Sequence, residues 1–563
     1  MTPLSVPLET SAKASAAVSI AMLAALHGAA LWFMLWSERD LVPSAAFALA
    51  WGVLNAFWLM VLRRPSPAAA ASLVMIVILT LLSRFKHHTL LMTVTFTDVM
   101  IIDTDTFSFL MNVFPALGWQ VAIAAALTVP ALALVWLFDR LRVRRRVALG
   151  AFALCFALLA GLSFAVPLDR EDEFLDHNYL SKFARSGAIA AVDLATRGVL
   201  ESDAAVAERL SPAAATECQV PGKAPHIVLI LDEASYDASV IPGAKVAADY
   251  QRHFRSFDGK ARRLIVEGAG GPTWYTEYNV LSGLSVRSYG RFAGAVTRLA
   301  TGRVRRGLPQ ALRDCGYRTL SVYPSMGGFL GARSYQASAG IDGFFDAKDL
   351  GTLSRQPDAF HYAFAERLIA AQRGKSPLFV LVYLTANHWP WGYRFRPDLT
   401  PGWVETGNVL DIDEYLRRQS MSVRDYGQFV ARLARDFPDD GFLLVRFGDH
   451  QPHFTKWLLE PALTEAELGQ RIGDFDLRYF TTYYALDTLN FRPVDLSSAL
   501  DTIEAPHLPL VVLEAAGVPL DPSFAEQKSL LQRCRGLFYR CAGGAEARRF
   551  NRMLIDAGLI KGL

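Results

Sequence analysis

Metal-binding residue types follow two apolar runs that lie far apart in the sequence. HIVLILD (226–232) leads into Glu233, and FLLVRFG (442–448) leads into Asp449 and His450. Apolar runs of this length indicate buried strands, and ligands of an open parallel sheet collect beyond the carboxyl ends of its strands. We therefore expect Glu233, Asp449 and His450 to meet at one sheet edge, where two carboxylates and an imidazole could hold a divalent cation.

A glycine-rich turn, EGAGGP (267–272), precedes Thr273, which is placed to begin a helix. A helix N-terminus offers free backbone N–H groups and a positive dipole end, and both suit a phosphoryl group. A threonine hydroxyl is a poor nucleophile at neutral pH and needs a metal ion or a base. We expect Thr273 to be a metal ligand and the nucleophile that carries a phosphoryl group. The alternative role for this threonine is a helix cap.

The chain as a whole is too apolar for an ordinary soluble enzyme, since 52% of its residues are hydrophobic and its mean hydropathy is +0.22. Almost all of this apolar excess lies in the N-terminal part, before residue 167. Five segments have about the length of a bilayer span. They are residues 15–36, 44–62, 67–84, 118–138 and 147–166. Buried helices of a soluble protein, a cleaved signal peptide for the first segment, and a transporter are the alternatives, and no obvious intramembrane ionisable relay supports the transporter.

Positive charge in the short loops predicts the orientation of these spans. Arg63 and Arg64 follow the second span, and DRLRVRRR (139–146) follows the fourth. Both loops should then be cytoplasmic, which places the N-terminus inside and the large C-terminal part outside. The stretch 86–114 is apolar but interrupted by three aspartates, so we expect it to be interfacial or re-entrant rather than spanning.

Composition shifts divide the remainder of the chain. We predict a membrane domain at 1–166, a juxtamembrane connector at 167–220 with an acidic start (169–174), a catalytic domain at 221–520 and a C-terminal extension at 521–563. A Pro-, Ala- and Gly-rich segment (211–225) marks the boundary before the first strand. Strand-like runs alternate with helical stretches after it, which is typical of an α/β domain with a mostly parallel sheet.

The net charge bears on the partners of the protein, and the cysteines bear on its compartment. A net charge of +3 and the lack of a basic stripe with aromatics give no reason to expect nucleic acid as a partner. Cys155 lies in the fifth span, whereas the other four cysteines fall in the outer part, where disulfides persist. Cys534 and Cys541 form a plausible local bridge, and Cys218 could pair with Cys315, although free thiols stay open as an alternative.

Taken together, the motifs resemble the alkaline phosphatase/sulfatase superfamily, and within it the membrane phosphoglycerol transferases typified by lipoteichoic acid synthase. HIVLILDEAS resembles a first strand ending in a metal-binding Glu (Glu233), and PTWYTEY a nucleophile segment (Thr273). TANHWPW resembles a substrate-binding segment (His388), and FGDHQP a Gly-Asp-His metal motif (Asp449, His450). FLGARSYQASAGIDGFFD (329–346) is more loosely similar to a stretch with a substrate-phosphate arginine, which would be Arg333.

The resemblance implies a multi-span helical membrane domain joined to an outward alkaline-phosphatase-like domain in a bacterial-type inner membrane. It also implies one divalent ion (manganese, magnesium or zinc) and ping-pong transfer from a membrane phospholipid to a glycan or polymer hydroxyl through phospho-Thr273. Two departures stand out: Asp232 precedes Glu233 and could share ligand duty, and His453 could be a further ligand or a residue behind the ligands.

Several other functions remain compatible with the sequence. Phosphoethanolamine transfer is the nearest, although the few cysteines argue against it, and a phosphodiester hydrolase with water as acceptor is another. The chain has no C/S-x-P-x-R motif near the glycine-rich turn, which argues against sulfatase activity. From a different class comes a catalytically silent membrane module that binds anionic lipid or glycan.

Overall fold

A computed structural model describes residues 8–90, 92–168, 172–211, 218 and 223–562. Residues 169–171, at the acidic start of the predicted connector, and residues 212–217 and 219–222, in the predicted boundary segment, lie outside the described residues. The chain divides into two compact units. One comprises Met1–Met100, Leu110–Thr196 and Thr464–Asp474, and the other comprises Ile101–Phe109, Arg197–Leu463 and Phe475–Leu563.

The first unit is helical. Its sequence up to residue 196 forms α1 (Leu8–Ser37), α2 (Leu41–Leu62), α3 (Pro65–Leu90), α4 (Thr104–Val113, whose first residues are assigned to the second unit), α5 (Pro115–Phe138), α6 (Arg145–Ala165) and α7 (Tyr179–Thr196). Within the described residues, five of these helices are long and apolar enough to cross a membrane: α1 (from Ala16), α2, α3, α5 and α6. This agrees with the five predicted spans, although the third helix continues beyond the predicted end.

The aspartate-interrupted stretch between the third and fourth spans forms a 3-10 helix (Phe96–Ile101) followed by α4. Asp98 accepts hydrogen bonds from Lys86 Nζ at 2.8 Å and from the Thr95 amide at 2.6 Å. Its charge is therefore compensated locally within the first unit. The interfacial placement of this stretch stays a prediction.

The second unit is built on one mixed sheet of eight strands. They are β1 (His226–Asp232), β2 (Arg262–Ile265), β3 (Arg318–Val322), β4 (Gly343–Phe345), β5 (Leu378–Tyr383), β6 (Phe442–Gly448), β7 (Thr481–Leu489) and β8 (Thr502–Glu504). Their order is β4-β3-β5-β1-β6-β7-β2-β8, and β7 runs antiparallel to both of its neighbours while the other pairs are parallel. The predicted combination of a multi-span helical region and a mostly parallel α/β domain is confirmed.

Helices flank this sheet. They are α8 (Thr273–Ser282), α9 (Val296–Ala300), α10 (Leu308–Asp314), α11 (Ala332–Ser338), α12 (Ala347–Leu350), α13 (Asp358–Gln372), α14 (Leu410–Asp436), α15 (Thr455–Leu459), α17 (Leu508–Ala515), α18 (Pro522–Arg533) and α19 (Ala545–Asp556), while α16 (Glu465–Gly473) belongs to the first unit. Every residue of β1, β5 and β6 is buried. Strands covered on both faces need apolar side chains at successive positions, which explains the continuous runs seen in the sequence.

Side chains from the strands and two helices form the core on one face of the sheet. Ile230 and Val382 pack with Tyr362 of α13 and with Phe429 and Leu433 of α14. This packing holds the central strands in register, so the residues that follow β1, β5 and β6 emerge at a common edge.

Two disulfides tie the second unit together. Cys218 pairs with Cys315, and Cys534 pairs with Cys541. Cys155 is the free cysteine of the described chain. Both pairings agree with those considered from the sequence, and they suit an oxidising compartment.

Candidate active site

The register of the central strands brings the predicted metal ligands together. Asp232 of β1 pairs with Gly448 of β6, so Glu233 and Asp449 leave the sheet side by side. One ligand atom each of Glu233, Asp449 and His450 lies within 4.8 Å of the others, and all three residues are buried. The structure thus brings Glu233 together with Asp449 and His450, which lie more than 200 positions later in the sequence.

Gly448 allows this close approach. A Cβ atom at this position would lie 1.9 Å from the carbonyl oxygen of Ser235, which is a backbone atom and cannot move aside. Only glycine lets β6 pass the turn after β1 at this distance. The glycine of the Gly-Asp-His motif is therefore a packing requirement of the site.

Asp449 has one carboxylate oxygen engaged and one without a hydrogen-bond partner. Its Oδ1 accepts a hydrogen bond from the Ala234 amide at 2.8 Å. Its Oδ2 is buried and has no hydrogen-bond partner among the described residues, while His450 Nε2 lies 3.3 Å away. An unsatisfied buried carboxylate oxygen is costly, and a bound cation would remove that cost.

His450 has the tautomer that a metal ligand needs. Its Nδ1 lies 2.9 Å from the carbonyl oxygen of Gln451, which can only accept a hydrogen bond, so the ring proton sits on Nδ1. The lone pair of Nε2 therefore points into the group, 3.6 Å from Glu233 Oε1. A backbone carbonyl that orients the second ring nitrogen is the usual support for a metal-binding histidine.

The electrostatics of the group favour a cation. Burial, and then the charge of Asp449, raise the pKa of Glu233 well above its usual range. Two adjacent buried carboxylates repel each other and lack full compensation within the protein. The donor set and the unsatisfied oxygen both fit a divalent ion.

Thr273 lies beside this group at the start of α8. Its Oγ1 is 3.4 Å from His450 Nε2. The next turn of the helix is tied to the same loop, because Thr276 Oγ1 donates a hydrogen bond to the Asp449 carbonyl at 2.6 Å. Thr273 is half-buried, so an incoming group can reach its hydroxyl.

At the start of α8, fewer backbone amides are free than we expected from the sequence. The Thr273 amide donates to the Gly271 carbonyl at 2.9 Å, and the Tyr275 amide donates to the Pro272 carbonyl at 3.0 Å. The turn therefore uses N–H groups that were expected to face a phosphoryl group. The Thr273 hydroxyl and cationic side chains of the same region remain available to a phosphoryl group.

His388 lies on the loop after β5, near enough to His450 for the two imidazoles to interact electrostatically. Asp358 accepts hydrogen bonds from the amides of Thr385 at 3.2 Å and Ala386 at 3.0 Å, which fixes the loop. The His388 Nδ1–H donates to the Trp389 carbonyl at 2.8 Å. Burial, followed by the charge of Arg355, lowers the pKa of His388 to about 3. The imidazole is therefore neutral, and its Nε2 is a hydrogen-bond acceptor.

The other three candidate residues have different surroundings. Asp232 faces His253 and Tyr483 rather than the metal group. His453 contacts the ring of Trp391 at a centroid distance of 5.6 Å. Neither Asp232 nor His453 belongs to the ligand group found among the described residues, and their ligand roles stay predictions.

Arg333 is half-exposed and forms an ion pair with Asp346. Its guanidinium also lies over the ring of Phe344, 4.7 Å from the centroid. Its Nη1 donates to the Phe344 carbonyl at 3.1 Å, and among the described residues no hydrogen bond or ion pair links it to Glu233, Thr273 or His450. Its substrate role stays a prediction.

Two basic residues near the site were missed from the sequence. Arg355 precedes α13, and its charge acts on both Glu233 and His388. Lys456 is buried close to the glycine-rich turn, since a Cβ atom on Gly270 would lie 3.1 Å from its Nζ. Burial lowers the pKa of Lys456 to about 7. Neither residue follows a strand or sits in a recognisable motif, so no sequence signal marked them.

Among the comparisons with known proteins, only the one with solved structures found similarity. No family model and no curated protein matches the chain. Among solved structures, the phosphoglycerol transferase GacH of Streptococcus pyogenes is 14% identical over 59% of this chain and 85% of its own, with a TM-score of 0.45. The membrane-embedded lipooligosaccharide phosphoethanolamine transferase EptA of Neisseria meningitidis is 11% identical over 84% of this chain and 95% of its own, with a TM-score of 0.42.

A Vibrio parahaemolyticus protein of the alkaline phosphatase superfamily is 13% identical over 57% of this chain and 73% of its own, with a TM-score of 0.39. At such identities and TM-scores the likeness carries no argument about substrates, which must come from the site itself. In fold, the chain is similar in part to these three structures.

Proposed function

We propose that this protein is a membrane phosphotransferase that moves a phosphoglycerol-type group from a phospholipid to a glycan or polymer hydroxyl. One observation carries the proposal: the Thr273 hydroxyl lies 3.4 Å from His450 Nε2, beside three potential ligands whose atoms lie within 4.8 Å of one another. A nucleophile adjacent to a cation site is the arrangement that phosphoryl transfer through a covalent intermediate requires.

Glu233, Asp449 and His450 would hold one divalent ion, with Thr273 as a further ligand. Such an ion, when bound, lowers the cost of deprotonating a hydroxyl and stabilises negative charge on the phosphoryl oxygens. Manganese, magnesium and zinc all accept these oxygen and nitrogen donors.

In the first half-reaction, Thr273 Oγ1 forms a bond to the phosphorus of the donor while the bond from phosphorus to the diacylglycerol oxygen breaks. The threonine proton is lost and the departing oxygen gains one, so diacylglycerol leaves as a neutral alcohol. In the second half-reaction an acceptor oxygen forms a bond to the same phosphorus and loses its proton, while the bond from phosphorus to Thr273 Oγ1 breaks and that oxygen regains a proton.

His388 suits substrate binding better than proton transfer. A base with a pKa of about 3 is almost wholly unprotonated at neutral pH but too weak to remove a proton efficiently from an alcohol. Its neutral Nε2 can accept a hydrogen bond from a hydroxyl of the glycerol headgroup or of the acceptor. We therefore assign it to orienting the substrate.

The membrane helices complete the proposal. Five apolar helices would hold the enzyme in a bacterial-type inner membrane beside its lipid donor. The cationic loops after the second and fourth spans favour a cytoplasmic N-terminus and a catalytic unit on the outer side. The two disulfides of the catalytic unit support the same side.

The test is incubation of the full-length protein with manganese and phosphatidylglycerol vesicles, followed by intact-mass and peptide mass spectrometry. We expect diacylglycerol release and a phosphoglycerol adduct on Thr273, both absent in Thr273→Ala. Both should be present in the control Thr301→Ala, which alters a threonine whose hydroxyl donates to the Thr297 carbonyl at 2.8 Å. Diacylglycerol release without an adduct would indicate direct hydrolysis. No release with any phospholipid would favour a binding module and contradict the proposal.

A further inference from the structure

We propose that the Arg355 guanidinium binds the phosphate of the donor and makes the site selective for headgroups without a positive charge, an inference that rests on the function proposed above. Nothing in the sequence motifs points to this residue. The inference comes from the position of this charge in the fold and from its described hydrogen-bond partners, none of which is a carboxylate.

Arg355 is anchored at the wall formed by the loop after β5. Its Nη1 donates to the Tyr393 hydroxyl at 2.9 Å, and its Nη2 donates to the Trp389 carbonyl. The same carbonyl accepts a hydrogen bond from His388 Nδ1 at 2.8 Å, so the guanidinium and the imidazole that we assign to the substrate share one acceptor. Its charge also acts on Glu233 of the metal group. The cation therefore borders the space between the ligand group and His388.

Among the described residues, no carboxylate forms a hydrogen bond with Arg355, and the charges of Glu233 and Glu414 act on it through space. Both hydrogen bonds that the structure describes for it go to neutral oxygen atoms. Two other arginines show the contrast: Arg418 Nε lies 2.6 Å from Glu414 Oε1, and Arg333 pairs with Asp346. Burial, and then the positive charge of Arg418, lower the pKa of Arg355 to about 10, so the side chain stays charged at neutral pH.

A half-buried guanidinium with neutral partners is a binding site for an anion. Its planar donors match two oxygens of a phosphate, and charge-assisted hydrogen bonds of this kind are strong where water is partly excluded. Tyr393 and Trp389 hold the guanidinium in place, so little side-chain freedom is lost when the anion binds.

The formal charges of Glu233, Asp449, a divalent ion, Arg355 and an anionic phosphodiester sum to zero. Glu233 and Asp449 would neutralise a divalent ion, and the single negative charge of the diester would be matched by Arg355. An ammonium group on the headgroup would add a second cation near the guanidinium and would be repelled. A neutral polyol headgroup such as glycerol avoids this repulsion and can hydrogen-bond to the neutral His388.

The first experiment measures binding of inorganic phosphate to the full-length protein by calorimetry, with and without manganese. Arg355→Gln should weaken binding by about 10- to 100-fold, as expected for loss of charge-assisted hydrogen bonds. Arg355→Lys should lie between this variant and the wild type, because lysine keeps the charge but loses the planar donor geometry. Arg367→Gln, an exposed arginine of α13, is the matched control and should bind as the wild type does.

The second experiment compares turnover of phosphatidylglycerol and phosphatidylethanolamine in mixed vesicles. Arg355→Gln should raise KM for phosphatidylglycerol more than it lowers kcat, and should reduce the preference over phosphatidylethanolamine. A purely structural role would instead lower the thermal midpoint and kcat for both lipids alike. If the glutamine variant does not fold, the lysine variant decides, since unchanged phosphate affinity in it would contradict the proposal.

Two results would overturn the assignment: unchanged phosphate affinity in Arg355→Gln, or a larger loss in Arg333→Gln than in Arg355→Gln. The phosphate measurement does not depend on turnover. Phosphate binding through Arg355 without diacylglycerol release would refute the proposed transferase activity alone. Diacylglycerol release with unchanged phosphate affinity in Arg355→Gln would refute only the role of Arg355.

Discussion

Asp232 and Glu233 are consecutive carboxylates at the end of β1, yet they lie in opposite electrostatic environments. Burial would raise the pKa of Asp232, but hydrogen bonds from His253 at 3.0 Å and Tyr483 at 2.5 Å lower it. Burial and Asp449 raise the pKa of Glu233. The fold therefore supplies hydrogen-bond donors to the first carboxylate, whereas it places a second buried carboxylate beside Glu233.

A wider network supports the Asp232 side. Arg446 Nη1 lies 3.1 Å from His253 Nδ1, so this nitrogen accepts and His253 Nε2–H donates to Asp232. Arg446 is in turn paired with Asp487 at 2.9 Å. All members of this network find partners within the fold, which is characteristic of a structural element. In the neighbouring group, by contrast, Asp449 Oδ2 is buried and has no hydrogen-bond partner among the described residues.

The largest effect should come from Asp449→Asn. We expect phospholipid turnover to fall by about 10³-fold or more, because the metal loses a charged ligand beside the nucleophile. Without metal, the variant should be as stable as the wild type or more stable, since one of two repelling buried carboxylates is gone. Metal content, diacylglycerol release and thermal midpoint with and without manganese measure these outcomes.

Asp439→Asn, on the exposed loop before β6, is the matched control for that substitution and should bind metal normally. In the wild type, a chelator should remove a metal stabilisation of about 3 kcal/mol at metal concentrations 100-fold above Kd. The same chelator should have no effect on Asp449→Asn. Metal binding that persists in this variant would contradict the ligand assignment.

Asp232→Asn should show the opposite behaviour. Removal of one charge from a satisfied buried network should lower the free energy of unfolding by about 3–5 kcal/mol, with or without metal. Denaturant unfolding in the presence and absence of a chelator measures both values. A loss that appears only with metal would show that Asp232 is a ligand and that the two carboxylates are not separated as described.

Glu277 is a third buried carboxyl, held by neutral donors instead of a cation. Burial raises its pKa to about 7 from an ordinary 4.5, while Gln336 Nε2 donates to it at 2.9 Å. A raised folded-state pKa means that its contribution is fully present below about pH 4.5 and is lost as the pH rises through about 7. The wild type should therefore lose up to about 3 kcal/mol relative to Glu277→Gln over this range.

The measurement for Glu277 is the difference between wild-type and Glu277→Gln unfolding free energies at pH 5 and pH 8. The comparison between the two proteins is needed because Asp358 and Glu504 also have a pKa raised to about 7 by burial. A difference that does not change with pH would mean that Glu277 is ionised throughout.

The smallest effect should come from Tyr483→Phe. This change removes one donor to Asp232 but keeps the ring and the His253 hydrogen bond, so we expect a loss of about 1–2 kcal/mol. Thermal or denaturant unfolding measures it, and turnover should be nearly unchanged. A strong loss of turnover with normal stability would instead connect the Asp232 network to catalysis.

Much of the site could be predicted from the sequence because its main signals are local. Continuous apolar runs mark buried strands, and the residues directly after such runs, Glu233, Asp449 and His450, must emerge at the sheet edge. A threonine after a glycine-rich turn marks the start of α8. The five membrane helices follow from apolar length alone, since a bilayer imposes a minimum number of residues.

The sequence by itself therefore determined the membrane helices, the parallel strands and the residues at the ends of those strands, since each depends on patterns of a few neighbouring positions. The tertiary structure alone decided that Asp232 turns towards His253 while Glu233 turns towards Asp449. It also decided that Arg333 pairs with Asp346, while the hydrogen bonds described for Arg355 go to Tyr393 and Trp389. The physical reason is that the pKa and the role of an ionisable side chain depend on the groups around it. These groups come from distant segments that only the packed sheet brings together.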